Sequence, residues 1–164
     1  MVNIDQVLQW LGEVQDPEIP VISIVDLGVV REVAWAGSAC EVTLTPTYSG
    51  CPAMNAIAQA VRDKLHAHGV DEVRIVSKLA PAWSTDWISD SGKAALKEYG
   101  IAPPAGKAAD TQGFKRGVPV ALHVPCPHCG ARRTQLVSQF GSTPCKALYQ
   151  CLECREPFDY FKCH

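Results

Sequence analysis

Apolar positions along the first hundred residues switch between two periods. Ile4, Val7, Leu8 and Leu11 recur at helical spacing and predict a first helix with one apolar face. Asn3 is suited to its N-cap, and Gln6 can reach back to complete a capping box. The pattern fades at Gly12. From Val29 to Trp35 and from Cys40 to Thr45 the sequence reads as paired strands, with Gly37-Ser38 as a two-residue hairpin turn. Cys40, Val42 and Leu44 alternate with Glu41, Thr43 and Thr45. One face of this sheet is therefore expected to be buried, with Cys40 packed on it as a small core residue. Helical spacing returns at Met54, Ile57, Val61 and Leu65, and Gly69 can end that helix. Val73 to Leu79 reads as a third strand, with Val73, Ile75 and Leu79 on one side. Ser89 can start a short helix that runs to Tyr99 and stops at Gly100. The mixture predicts a small α+β domain.

Three stretches carry no period. Asp16-Pro17-Glu18-Ile19-Pro20 holds two prolines, which oppose both helix and regular pairing, so an ordered, extended loop is expected up to a turn at Gly28. Residues 80–89 hold Trp83 and Trp87. No basic residues are interleaved with them, so they read as lids over the core rather than a base-stacking platform. Residues 103–117 have the composition of a linker. The expected organisation is a domain over 1–104, a linker over 105–118 and a second module over 119–164. In that module a strand is expected to begin over Pro119 to His123. Thr134 to Phe140, Ala147 to Gln150 and Phe158 to Phe161 read as further strands.

Charge supports two modules. The 164-residue chain has a formal charge of −2 and is 47% hydrophobic, enough for a core and too neutral to select a partner class. Residues 1–104 carry 7 basic and 13 acidic side chains, whereas residues 105–164 carry 8 and 4. The basic half could meet an acidic protein. It argues only weakly for nucleic acid, because Arg132-Arg133 stands without an accompanying aromatic–basic pattern. The N-terminus has no basic stretch followed by an apolar run, and no segment is long enough to span a bilayer. A cytoplasmic location is expected, where thiols stay reduced.

Two Cys-x-x-Cys turns, Cys126/Cys129 and Cys151/Cys154, are separated by 21 residues. Paired knuckles of this kind suit a tetrahedral Zn²⁺ held by four thiolates with no open position. Two disulfides are the alternative, and the compartment disfavours them. About 40 residues cannot bury enough apolar surface to fold alone, so metal would supply much of this module's stability. His128 lies inside the first knuckle and could replace a cysteine ligand, and Cys145 and the Cys163-His164 pair are spare groups that could compete for metal. His66 and His68, at a helix end, read as solvated. In the first module Cys51 precedes Pro52 at or beside a helix N-cap, where unpaired N–H groups and the helix dipole would favour the thiolate. It reads either as a reactive or metal-binding thiol or as a cysteine tucked under its loop. There is no phosphate-binding glycine loop, metalloprotease helix or Gly-x-Ser-x-Gly elbow.

Several strings add a resemblance. Asp16-Pro17-Glu18, Ile24-Val25-Asp26-Leu27-Gly28, Thr47-Tyr48-Ser49-Gly50-Cys51-Pro52 and Trp83-Ser84-Thr85-Asp86-Trp87-Ile88 resemble the iron–sulfur assembly domain shared by SufT and the cytosolic iron–sulfur targeting factors. With Phe140-Gly141-Ser142-Thr143-Pro144-Cys145-Lys146-Ala147 and the run Cys154 to Lys162, the whole chain is similar to the PaaD family. These are the accessory D components encoded with bacterial ring-1,2-phenylacetyl-CoA epoxidases. The resemblance implies an iron–sulfur assembly-type domain, a small mixed sheet with packed helices, followed by a rubredoxin-like zinc ribbon. It implies a maturation factor rather than an enzyme, with Cys51 matching the reactive cysteine and Asp26 the acidic residue of the Asp-Leu-Gly loop. Transient iron or an iron–sulfur cluster would be handled for an oxygenase or reductase subunit of the epoxidase. A scaffold that binds these subunits through the ribbon is the other reading, and a homodimer would bring two Cys51 residues together.

Overall fold

The structure is a computed structural model that describes residues 2–104 and 123–162. The linker expected over 105–118, most of the strand expected over Pro119 to His123, and Cys163-His164 lie outside the described residues. The chain divides into two compact units, Met1–Trp83 with Trp87–Gly92, and Ser84–Asp86 with Lys93–His164. Residues 93–104, which composition had assigned to the first module, thus fall with the second. A Pro/Gly-rich stretch reports where chain propensity changes, not where packing does.

In the first unit, helix α1 spans Ile4–Leu11. The Asn3 side chain accepts from the Gln6 N–H at 2.8 Å, and the Asn3 N–H donates to Gln6 at 3.1 Å, the expected capping box. Strands β1 (Val30–Ala36) and β2 (Ala39–Leu44) form the hairpin, helix α2 spans Ala53–Ala67, and β3 covers Val73–Ser77. The order is β1-β2-β3, with β1 antiparallel and β3 parallel to β2. Helix α2 is thus the crossover of a β-α-β unit, the usual way to join parallel neighbours. Val7, Leu11, Val42, Leu44, Ile57, Val61 and Leu65 are all buried.

Three details depart from the periodic reading. Thr43 and Thr45 are buried although their face was expected to be solvated. Strand β2 is central, so alternation reports polarity there rather than exposure. Ala53 and not Met54 joins the buried stripe of α2. Strand β3 stops at Ser77, leaving Leu79 exposed.

The segment between α1 and β1 is not extended. Asp16 is buried, and its Oδ1 accepts from the N–H groups of Glu18 at 2.8 Å and Ile19 at 2.9 Å. Gln15 and Ser23 form an isolated bridge. The prolines prevent regular structure, and an Asp-centred turn supplies the hydrogen bonds they cannot. Ile19, Ile22, Ile24 and Leu27 are thereby folded into the core. The Trp83 indole donates to the Leu27 carbonyl at 3.0 Å, and the Arg31 guanidinium lies 3.5 Å from the Trp87 ring centroid.

In chain order, helix α3 (Asp90–Glu98) and strand β4 (Ile101–Ala102) follow. The second unit then contains β5 (Thr134–Ser138), β6 (Lys146–Cys151) and β7 (Pro157–Phe161). The sheet order is β4-β7-β6-β5, with β4 parallel to β7 and the other neighbours antiparallel. Ala102, Val124, Ala147, Tyr149, Phe158 and Tyr160 make one buried cluster with Cys126 and Cys151. Among the described residues no helix is long and apolar enough to cross a membrane.

Candidate functional site

The four knuckle cysteines converge. Their sulfurs all lie within 4.8 Å of one another, with Cys126–Cys154 at 3.8 Å and Cys129–Cys151 at 3.6 Å. Metal–sulfur bonds of about 2.3 Å in a tetrahedron place sulfurs about 3.8 Å apart, so the donor set fits one tetrahedral ion. Each knuckle is closed by its own backbone. The Gly130 N–H donates to the Cys126 carbonyl and the Cys126 N–H to Ala131, both at 2.9 Å; the Cys151 N–H donates to Glu156 at 3.0 Å. The residue after each second cysteine has positive φ, 77° at Gly130 and 68° at Arg155. Burial opposes ionisation of Cys151, yet the N–H groups of Cys154 and Glu153, with neighbouring thiols, bring it down to about 7. Cys154 is pushed up to about 12: the Glu156 N–H favours its thiolate, but burial and the other three sulfurs outweigh it. Four crowded thiols resist shared ionisation, and a cation relieves that conflict.

His128 does not join this cluster; its ring lies 3.0 Å from where a Cβ on Gly100 would stand. Cys145, in the turn before β6, is buried with its sulfur 2.9 Å from Thr143 Oγ1 and is not among the four converging cysteines. Nearby, Lys146 is buried within 3.9 Å of Asp159, which also accepts from the Ser142 hydroxyl at 2.8 Å.

Cys51 lies one residue ahead of Pro52, the N-cap of α2, and is half-buried. The expectation of a stabilised thiolate does not hold. Burial pushes the thiol up, and the carboxylates of Glu18 and Asp16 push the same way. The Ala53 N–H and the Tyr48 hydroxyl act in the opposite direction without prevailing. A helix N-terminus favours an anion only where desolvation and nearby negative charge do not outweigh it. The carboxylates of the Asp-Pro-Glu turn thus act on Cys51 through their charge, a link that neither string shows in the sequence.

Asp26, in the same unit, is engaged by serine hydroxyls. Its Oδ2 accepts from Ser23 at 2.9 Å, and its Oδ1 from Ser89 at 2.6 Å and Ser91 at 3.0 Å. The Ser89 hydroxyl holds its carboxyl below the usual range; burial opposes, and Ser23 and Ser91 add to the lowering. Ser89 also accepts from the Gly92 N–H at 3.0 Å, as an N-cap does for α3. Nothing in the sequence singled out this serine cluster beyond Ser89 as a helix start.

These features define a class: an iron–sulfur assembly domain followed by a zinc ribbon. Residues 4–77 match the family model described as "Iron-sulfur cluster assembly protein", and residues 110–162 match the "PaaD zinc beta ribbon domain". The crystal structure of a domain of unknown function, DUF59, from Bacillus anthracis superposes with a TM-score of 0.52 at 32% identity. It covers 56% of this chain and 89% of its own. The "Fe-S protein maturation auxiliary factor" of Porphyromonas gingivalis is 35% identical over 99 residues, 59% of this chain and 90% of that protein. The D component of the "Putative 1,2-phenylacetyl-CoA epoxidase" of Escherichia coli K12 is 45% identical over 161 residues, 98% of this chain and 93% of that protein. The chain belongs to the PaaD family, the D components of phenylacetyl-CoA epoxidase systems.

Proposed function

We propose that this chain is a non-catalytic maturation factor for the phenylacetyl-CoA epoxidase of aerobic phenylacetate degradation, helping to place iron or an iron–sulfur cluster in the oxygenase or reductase. The observation that carries this reading is the Cys51 thiol at the head of α2, under the influence of Glu18 and Asp16. Iron or a cluster is the cargo. The thiol stays protonated until a cation arrives; the carboxylates that oppose a bare thiolate then favour a metal-bound one. Asp26 acts with Cys51 by fixing the loop from Ser23 to Gly28 against the start of α3, and it can offer an oxygen ligand. One thiolate cannot hold a cluster alone, since clusters take about four. The client, or Cys51 of a second copy in a homodimer, supplies the others.

In the ribbon, Cys126, Cys129, Cys151 and Cys154 hold a structural Zn²⁺, which supplies a closed, redox-silent cross-link. The cytoplasm, where thiols stay reduced, suits both cysteine sites. Nucleic acid has no part in this reading. The test is the iron content of the oxygenase and reductase produced with the chain, without it, and with Cys51→Ala. Iron lost from one subunit in both deficient cases supports the proposal and identifies the client. Normal loading with Cys51→Ala refutes it. Exposed apolar residues on the ribbon favour a second reading, a scaffold. That reading expects metal loading to be unchanged while ribbon variants dissociate the complex.

A further inference from the structure

Strand β5 ends the second unit's sheet, and among the described residues no strand pairs with its outer side. An edge of this kind presents unpaired N–H and C=O groups and is normally blunted by charge or cover. Here it is apolar. Leu136 is 49% exposed, Val137 55% and Phe140 66%. A bulge between Leu136 and Ser138 breaks the register with β6, and the two consecutive apolar residues Leu136 and Val137 are both exposed there. Clustered exposure of this size marks an interaction surface more often than chance.

Cations stand at both ends of the strip. Arg132 and Arg133 precede the strand and are exposed, with Arg133 paired to Glu153 at 2.8 Å. At the far end, Lys162 donates to the Gln139 carbonyl at 2.9 Å and lies 4.7 Å from the Phe140 ring centroid. This arrangement disfavours a second copy of the same strand. Antiparallel self-pairing would set Arg132 and Arg133 against Lys162, and parallel self-pairing would set like residues together. Among residues 105–122 of the chain itself, the charged part carries Lys107, Lys115 and Arg116 against Asp110, the wrong sign to complement the cations of the strip.

We infer that the outer edge of β5 is a docking strip for an extended segment of the client epoxidase subunit, apolar at its centre and flanked by Asp or Glu. Backbone pairing gives the segment its direction, Leu136, Val137 and Phe140 receive its apolar side chains, and the terminal cations select its charge. The inference rests on the accessory role proposed above and adds to it the surface and the chemistry of the partner.

The test uses the full metal-loaded chain with each purified subunit, oxygenase and reductase. Amide hydrogen exchange at those N–H groups of 134–138 that are not paired with β6 should be fast in the free chain and slow in one complex. Leu136→Lys with Phe140→Lys, and separately Val137→Pro, should weaken binding tenfold or more. Arg132→Glu should weaken it several-fold and flatten its salt dependence. Gly37→Ala, in the β1–β2 turn of the first unit, should bind as wild type. Cobalt substitution, read by its thiolate absorption, confirms that each variant keeps the knuckles. If the proline variant loses that signature, the double lysine variant decides. Four outcomes overturn the inference: a β5 edge already protected in the free chain, self-association that is lost in the lysine variant, undiminished binding by the β5 variants, or no binding to either subunit. If the subunits' iron still depends on the chain in those cases, only the docking strip falls. If that dependence is also absent, the maturation reading falls with it.

Discussion

Gly28→Ala should destabilise the first unit by about 2–4 kcal/mol, and the structure separates two causes. Gly28 has φ of 78°, where a side chain costs about 1–2 kcal/mol. An added Cβ would also stand 2.7 Å from the Trp87 Cβ and 2.9 Å from its carbonyl oxygen. Those atoms belong to or adjoin the main chain and cannot swing aside, so overpacking adds about 1–3 kcal/mol. Lower entropy of the unfolded chain returns about 0.4–1 kcal/mol. Gly37 is the control. Its φ is 68°, and an added Cβ meets nothing within 4 Å, so Gly37→Ala should cost about 1 kcal/mol or less. Urea unfolding of the full chain followed by tryptophan fluorescence, with buried Trp83 as reporter, measures both. Equal losses within about 0.5 kcal/mol, well inside the steric cost assigned to overpacking, would refute the assignment of the extra penalty to the Trp87 contact.

Further outcomes follow from the charged and metal-binding groups. The Asp26 carboxyl is lowered by its serines, so its contribution to stability is present above the pKa of the unfolded chain and disappears as pH falls through the folded value. Asp26→Asn should cost no more than about 1 kcal/mol at pH 7, since the carboxyl is partly solvated and screened, and nothing at the acid end of a pH series of urea melts. The Cys51 thiol is raised by burial, Glu18 and Asp16, so alkylation by iodoacetamide at neutral pH should be slower than for a peptide thiol. It should keep accelerating past the ordinary thiol range, and Glu18→Gln should speed it. Arg155 carries a φ of 68° where the first knuckle has glycine, so Arg155→Gly should stabilise the second unit by about 0.5–1 kcal/mol in thermal melts of the metal-loaded chain. A strong chelator should release about one metal ion per chain and abolish the near-UV signal of Tyr149 and Tyr160, as for small domains folded around metal.

Much of this architecture was legible because the sequence states it locally. The capping box of Asn3 and Gln6, the turn at Gly37-Ser38 and the two knuckles each depend on residues within a few positions of one another. Burial of Thr43 and Thr45 was not legible, because it depends on β3 and on β2 being central, which is long-range information. The Cys51 environment was half legible. The helix start is local, but its effect is reversed by burial, which depends on the whole fold, and by carboxylates of a turn more than thirty positions earlier, which add to it. The serine cluster on Asp26 joins residues 63 and 65 positions apart, and no spacing rule finds such a pair.

The two-residue strand β4 has a consequence for how this protein can be taken apart or recombined. Ile101 and Ala102 are buried and pair with Asp159 and Tyr160 of β7. A graft that carries the ribbon from residue 105 onward leaves that flank of β7 bare and removes Ala102 from the cluster around the knuckles. The transferable cassette therefore starts upstream of the proline-rich stretch, near residue 93 inside α3. Gene fusions that respect the packing would exchange the ribbon together with the end of that helix.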